Sequence, residues 1–249
     1  MKKVGIIGCG WLGYRIAEKI SGQYEVFSTT STQGKVEKLA AKGFNPTIVD
    51  FSDEIIIKDI MQWDVLTSLD VIIITIPFSE KSSVDNRLDN LFSFIGDFKG
   101  QLFYTSSTGV YPNIEKEYLE ADVSPDDLTI ERRIKQKYPQ VNILRLAGLM
   151  GDDRLLRNYN VSDLDFVVNH IHYADICRVL EKMMERQLMS KLYNVVAPIH
   201  PTKAEVINAQ NNIDSSGKSV LRGKTISSAK LIAELDFVFK FPDPRKFHL

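Results

Sequence analysis

Short β-branched runs alternate along this chain with stretches whose apolar residues recur at helical spacing. Val4-Gly5-Ile6-Ile7 predicts a strand, and Leu12, Ile16 and Ile20 predict a helix over 12–20. Strands follow at 25–28, 47–49, 101–105 and 141–146, with helices over 34–41, 82–95 and 126–138. The last helix stops before Pro139, which cannot continue it. The run DVIIITI at 70–76 is almost wholly apolar, as a parallel strand covered on both faces should be. Repeated strand and helix predict an α/β, Rossmann-type doubly wound parallel sheet.

Beyond Gly148 the pattern loosens. Residues 166–168 and 192–196 read as strands, and 174–189 and 202–211 as helices. Thr202 followed by Glu205 forms a capping box. NNIDSSG at 211–217 reads as a loop, and the tail from Lys224 holds a short helix and an apolar Phe237-Val238-Phe239.

At 249 residues and 44% hydrophobic, the chain has material for a substantial core. A formal charge of -1 supplies no electrostatic footprint for nucleic acid or an anionic membrane. The two cysteines, Cys9 and Cys177, make neither a disulfide framework nor a metal spacing. No apolar run approaches the roughly 18 residues of a membrane span, and the opening run of Val4 to Gly8 is short for an export signal. The expected location is the cytoplasm. Alternation along the strand is expected to keep His170 and His172 from converging on a metal, so no metal is expected.

Gly8, Gly10 and Gly13 form G-x-G-x-x-G at the end of the first strand and the start of the first helix. In that place the first glycine permits a tight turn, the second lets backbone approach a pyrophosphate, and the third lets helix pack on strand. Backbone N–H groups, including those of Trp11 and Leu12, and the helix dipole then hold the anion. Dinucleotide binding is the expectation. An NAD site places an acid after the second strand for the ribose 2′-OH. Here stand Thr29, Thr30 and Ser31 with Lys35 beyond, so NADP is favoured, with NAD the alternative. Asp50 and Phe51, after the third strand, are placed to meet the adenine. The division expected is a dinucleotide-binding domain over 1–150, to which later segments return, and a small substrate lobe mainly over 151–249.

GIIGCGWLG, TSSTGVYP at 105–112, ILRLAGLMG at 143–151, NHIHYADI at 169–176 and LYNVVAP at 192–198 occur in order. Together they resemble the extended short-chain dehydrogenases/reductases, and more narrowly the atypical NAD-dependent epimerase/dehydratase-like proteins. The resemblance implies a catalytic hydroxyl at the end of the fifth strand, mapping to Ser107 with Thr108 beside it. It implies cofactor contacts at Pro77 and Ala147. It also implies a Tyr with a Lys four residues on, yet none of the nine tyrosines is followed by Lys at that position. In the corresponding helix stand Glu131 and Lys135. A carboxylate beside an ammonium stays ionised and is a poor proton donor, though it can act as a base. A solvated i,i+4 ion pair is the plainer reading of the two.

Arg145, inside a strand, needs a partner and is expected to anchor a loop, Asp175 to cap a helix, and His172 to orient that turn. The function expected is an NAD(P)-dependent oxidoreductase or epimerase/dehydratase on a small carbonyl, sugar or sugar-nucleotide. The alternative is a catalytically silent NAD(P)-binding sensor or scaffold. The partner is a small-molecule substrate, with no nucleic acid and no membrane. Both monomer and homodimer are compatible, the latter through the helices at 82–95 and 126–138.

Overall fold

The strands are laid down where β-branched residues cluster, and the order in which they pair decides where a ligand can enter. The structure, a computed structural model, describes residues 1–52, 61–78, 84–213 and 222–249. The first two residues of the helix expected at 82–95, and residues 214–217 of NNIDSSG, lie outside these. A seven-stranded sheet has the order β10-β7-β5-β4-β1-β2-β3. Its strands are β1 (Lys3–Ile7), β2 (Glu25–Thr30), β3 (Pro46–Ile48), β4 (Val71–Ile74), β5 (Gln101–Ser107), β7 (Asn142–Leu146) and β10 (Leu192–Val195). The pairings β3–β2, β2–β1, β1–β4 and β4–β5 are all parallel. Successive strands are added outward on one side of β1 and then, from β4, on the other. That reversal opens a crevice at the carboxyl ends of β1 and β4, where ligands bind in open α/β sheets.

Two compact units interleave along the chain. The first comprises 1–106, 125–143 and 184–191; the second comprises 107–124, 144–183 and 192–249. In the first, Val71, Ile72, Ile73 and Ile74 of β4 are all buried. Trp63 stacks on Phe94 with ring centroids 5.1 Å apart. A Cβ on Gly5 would lie 2.8 Å from the Trp63 ring and 2.7 Å from Leu69, so the strand needs a glycine beside the indole. Helices α1 (Trp11–Ile20), α2 (Val36–Ala41), α3 (Val84–Ile95) and α4 (Thr129–Lys137) belong to this unit. Arg133 of α4 pairs with Asp85 at 2.5 Å and with Asp89, and Lys137 with Asp97 at 2.8 Å. Much of α4's basic charge is therefore matched by acids on or just after α3.

The second unit is less regular. β8 (Gly148–Met150) pairs in parallel with β9 (His170–His172), and β6 (Glu117–Tyr118) with β11 (Thr225–Ile226). Met150, Leu156, Val168, Val206 and Phe247 share one apolar cluster. The strand expected at 166–168 forms only isolated bridges, Phe166 with Arg222 and Val167 with Thr202. Three residues reached from two directions cannot build a ladder. The capping box of α6 (Lys203–Gln210) is formed, with Glu205 N–H donating to Thr202 Oγ1 at 3.2 Å. Asp175 lies inside α5 (Tyr173–Glu185) and does not cap it. Its buried carboxylate accepts the N–H groups of Lys240 and Phe241, both at 2.8 Å, and so ties the C-terminal tail to the helix. His172 does orient its turn, its Nδ1 accepting the Ala174 N–H at 3.2 Å.

Candidate functional site

The glycine turn is built from three residues that are glycine for three different reasons. Gly8 has φ +94, a region that side chains avoid, and a Cβ there would lie 2.4 Å from Ile76 Cγ2. Gly13 lets α1 close on the strand, since its Cβ would lie 2.5 Å from Gly8 O. Gly10 has an ordinary φ of -83. The nearest atom to a Cβ placed there is Gly8 O, 3.9 Å away. Packing within the chain does not ask for glycine at position 10; the close approach of a ligand would. The N-cap of α1 is Gly10, which has no side chain of its own to cap the opening amides, and a helix N-terminus is suited to an anion.

The turn is fastened from both sides. Gly8 N–H donates to Thr29 Oγ1 at 2.9 Å, and Cys9 N–H to Thr29 O at 2.7 Å. The Thr75 hydroxyl donates to Gly8 O at 2.6 Å. Sequence reasoning missed Thr75, although it is the hydroxyl that interrupts DVIIITI. The run at 29–31 thus has divided duties. Thr29 and Thr30 are buried, with Thr30 Oγ1 accepting the Thr32 N–H at 3.2 Å, while Ser31 is exposed. Burial pushes the Cys9 thiol up to about 11, so it stays protonated and fills space.

A pocket of about 330 Å3 opens at this turn, lined among others by Gly10, Trp11, Tyr14, Arg15, Lys35 and Lys38. Its size suits part of a small ligand. The Arg15 guanidinium lies 3.9 Å from the Trp11 ring centre and donates to Trp11 O at 3.0 Å. The Lys38 ammonium stands 5.3 Å from the Tyr14 ring. Of these cations only Lys35 was singled out in the sequence; Arg15, one helical turn after Trp11, carried a readable signal. Leu12 is buried on the core side of α1. Asp50 is exposed and its carboxylate accepts the Ser52 N–H at 3.0 Å, a turn contact. Phe51 is buried edge-on to Phe94 at 5.3 Å, so its ring serves the core. Pro77 is exposed, and its carbonyl accepts from Arg87 at 3.2 Å.

At the end of β5 a second arrangement appears. Glu131 is 1% exposed and accepts the Ser106 hydroxyl at 2.5 Å. Lys135 is exposed and bonds both oxygens of Asp126, at 3.0 and 3.1 Å. The solvated Glu131–Lys135 pair is therefore corrected. Glu131 faces inward with Ile134, while the long Lys135 stem carries its charge out to water and to the turn before α4. Tyr104 lies two residues before Ser106. Burial first, and then the Glu131 charge, push its phenol far above the ordinary value. It holds its proton and is no substitute for the absent Tyr-x-x-x-Lys phenol.

Ser107, Thr108 and Ala147 belong to the second unit. Ser107 is exposed and its Oγ accepts the Gly109 N–H at 3.0 Å, while Thr108 is buried. Ala147 is buried and its N–H donates to Val195 O at 3.1 Å. Arg145, wholly buried, anchors a loop: it donates to Tyr111 Oη at 2.9 Å, Val123 O at 2.9 Å and Glu120 O at 3.4 Å. The Tyr111 hydroxyl passes the chain on to Asn194 Oδ1 at 2.7 Å, and Glu120 accepts the Asn194 N–H at 2.8 Å. Burial raises the Tyr111 phenol, with Arg145 opposing. His170 and His172 are two residues apart on β9, so they share a face, contrary to the expectation from alternation. The His172 ring is stacked on Phe241 at 3.9 Å, and burial lowers His170 to about 4. Among the described residues no three His, Cys, Asp or Glu side chains form a metal-binding group.

No family model matches this chain. Protein YeeZ of Escherichia coli (strain K12) is 26% identical over an alignment of 275 positions that covers 98% of each chain. Among solved structures, dTDP-glucose 4,6-dehydratase from Bacillus anthracis, in complex with NAD, superposes with TM-score 0.70 at 14% identity, covering 99% of this chain and 94% of its own. UDP-glucuronic acid 4-epimerase from Bacillus cereus, also with NAD, gives 0.70 at 13%, covering 99% and 97%. The fold is the Rossmann-like α/β fold of these structures. Within it, the turn at Gly8 to Gly13 closes the first βα unit of a Rossmann-like sheet. Among the described residues no helix is long and apolar enough to cross a membrane.

Proposed function

We propose that this chain binds a nicotinamide dinucleotide at the mouth of β1, NADP in preference to NAD. It then acts as an oxidoreductase or epimerase/dehydratase on a small carbonyl, sugar or nucleotide-sugar substrate. The observation that carries the reading is Gly10: a glycine at the N-cap of α1 that no neighbour crowds. The NAD held by the dehydratase and the epimerase of the same fold supports it. Arg15, Lys35 and Lys38 in the adjoining pocket, with exposed Ser31 rather than an acid after β2, suit a 2′-phosphate. When bound, the nicotinamide supplies reversible hydride exchange. The chain's own part is to grip the phosphates with backbone amides and to hold a proton near the substrate oxygen.

Calorimetric titration with NADPH and NADH tests the binding. Saturable heat that Gly10→Val abolishes is expected; no heat with either coenzyme, oxidised or reduced, ends the reading. The second reading, a silent sensor or scaffold, is favoured by one observation, the diversion of Lys135 to Asp126. It predicts tight binding with no change in nicotinamide absorbance across carbonyl and nucleotide-sugar panels.

A further inference from the structure

We infer that Glu131 is the base for the Ser106 hydroxyl, and that this pair, one residue before the serine picked out by resemblance, moves the proton. The inference rests on the enzyme reading above for the substrate, and on geometry for the pair. An O–H···O contact of 2.5 Å lies at the short end of charge-assisted hydrogen bonds. In this contact the Ser106 hydroxyl donates and the Glu131 carboxyl oxygen accepts. Ser106 is only partly buried. Glu131 is almost fully enclosed between α4 and the strand. Tyr104, the neighbouring phenol on β5, keeps its proton. Lys135 is bonded to Asp126.

The step is a relay. A substrate alcohol's O–H breaks and its proton forms a new O–H on Ser106 Oγ, while the original Ser106 proton forms an O–H on Glu131 Oε1. With a bound oxidised nicotinamide to supply hydride acceptance, the electron pair left on the substrate oxygen would close to a carbonyl. In the reverse direction Glu131 returns the proton through Ser106. Ser106 is thus the catalytic hydroxyl, and Glu131 the group that acts through it.

The same activation makes Ser106 a nucleophile toward an alkyl fluorophosphonate, a test that needs neither dinucleotide nor substrate. Ser106 Oγ bonds to phosphorus, fluoride leaves, and the serine proton passes to Glu131. With the full chain, peptide mass spectrometry should find the adduct on Ser106. The labelling rate should fall about 100-fold in Glu131→Gln, as loss of a general base does. It should vanish in Ser106→Ala and survive in Ser107→Ala and, more slowly, in Ser106→Thr. Circular dichroism and a coenzyme titration of each variant report folding; Glu131→Asp, which withdraws the carboxylate by one methylene, replaces Glu131→Gln if that variant unfolds. An adduct on Ser107, no adduct at all, or equal labelling of the carboxylate variant overturns the inference. Labelling of Ser106 without any coenzyme binding would sink the dinucleotide reading and leave the pair standing.

Discussion

The glycine turn and the Arg145 network treat their polar groups in opposite ways. At the turn, Gly8 is fastened by Thr29 and Thr75, but the N-cap of α1 is a glycine without a side chain, and no neighbour crowds it. Around Arg145, a buried guanidinium, a phenol, an amide and two loop carbonyls satisfy one another inside the second unit. The first arrangement offers partners to something outside the chain. The second uses buried charge to hold an irregular segment, 107–124, that has few apolar ladders of its own. A buried polar group that is fully bonded belongs to the fold; a helix N-terminus is where an anion can be held.

The contrast breaks first at Arg145. Arg145→Ala leaves the Tyr111 hydroxyl and two loop carbonyls without their donor, and should lower unfolding free energy by about 3–5 kcal/mol in urea titrations. If the loss were under about 1 kcal/mol, the network would be ornamental to stability. His170 gives a pH-dependent counterpart. Its folded pKa is about 4, below the 6.5 of a free imidazole, so the unfolded chain binds the extra proton between those values. Its contribution is present above pH 6.5 and is lost as pH falls toward 4, at most about 3 kcal/mol. His170→Gln should flatten that part of the stability–pH curve.

Gly10→Val should reverse the pattern. Stability should change little, within about 1 kcal/mol, because nothing lies within 3.9 Å of the new Cβ. Coenzyme affinity should fall at least about 100-fold, roughly 2.7 kcal/mol. Gly13→Ala, by contrast, meets Gly8 O and should cost stability as well as binding. The smallest effect sharpens the choice of coenzyme. Lys35→Gln should weaken NADPH about tenfold, roughly 1.4 kcal/mol, and leave NADH nearly unchanged in parallel titrations. Equal effects on both would remove the 2′-phosphate from the proposal.

The parts of this protein that could be read directly were those in which one residue type has one physical use. Apolar β-branched runs place β1, β2, β4, β5 and β7 within a residue or two of expectation. Thr202 and Glu205 cap α6 as their spacing implies. The Thr29 and Phe51 side chains show where such reading stops. Both stand at positions suited to a coenzyme, yet Thr29 braces the turn and Phe51 packs on Phe94. A hydroxyl or a ring has several possible partners, and only the neighbouring strand or helix selects among them. The tail contact of Asp175 lies 65 residues away in sequence, beyond any local pattern.

Local periodicity and the spacing of Gly8, Gly10 and Gly13 by themselves determined the α/β architecture and the place of the glycine turn, because strand, helix and tight turn are short-range consequences of backbone sterics. Which hydroxyl meets a carboxylate was decided only in three dimensions. Ser106 and Ser107 are adjacent and chemically identical, and the pleat of β5 sends successive side chains to opposite faces. It is the packing of α4 that brings Glu131 to one of them.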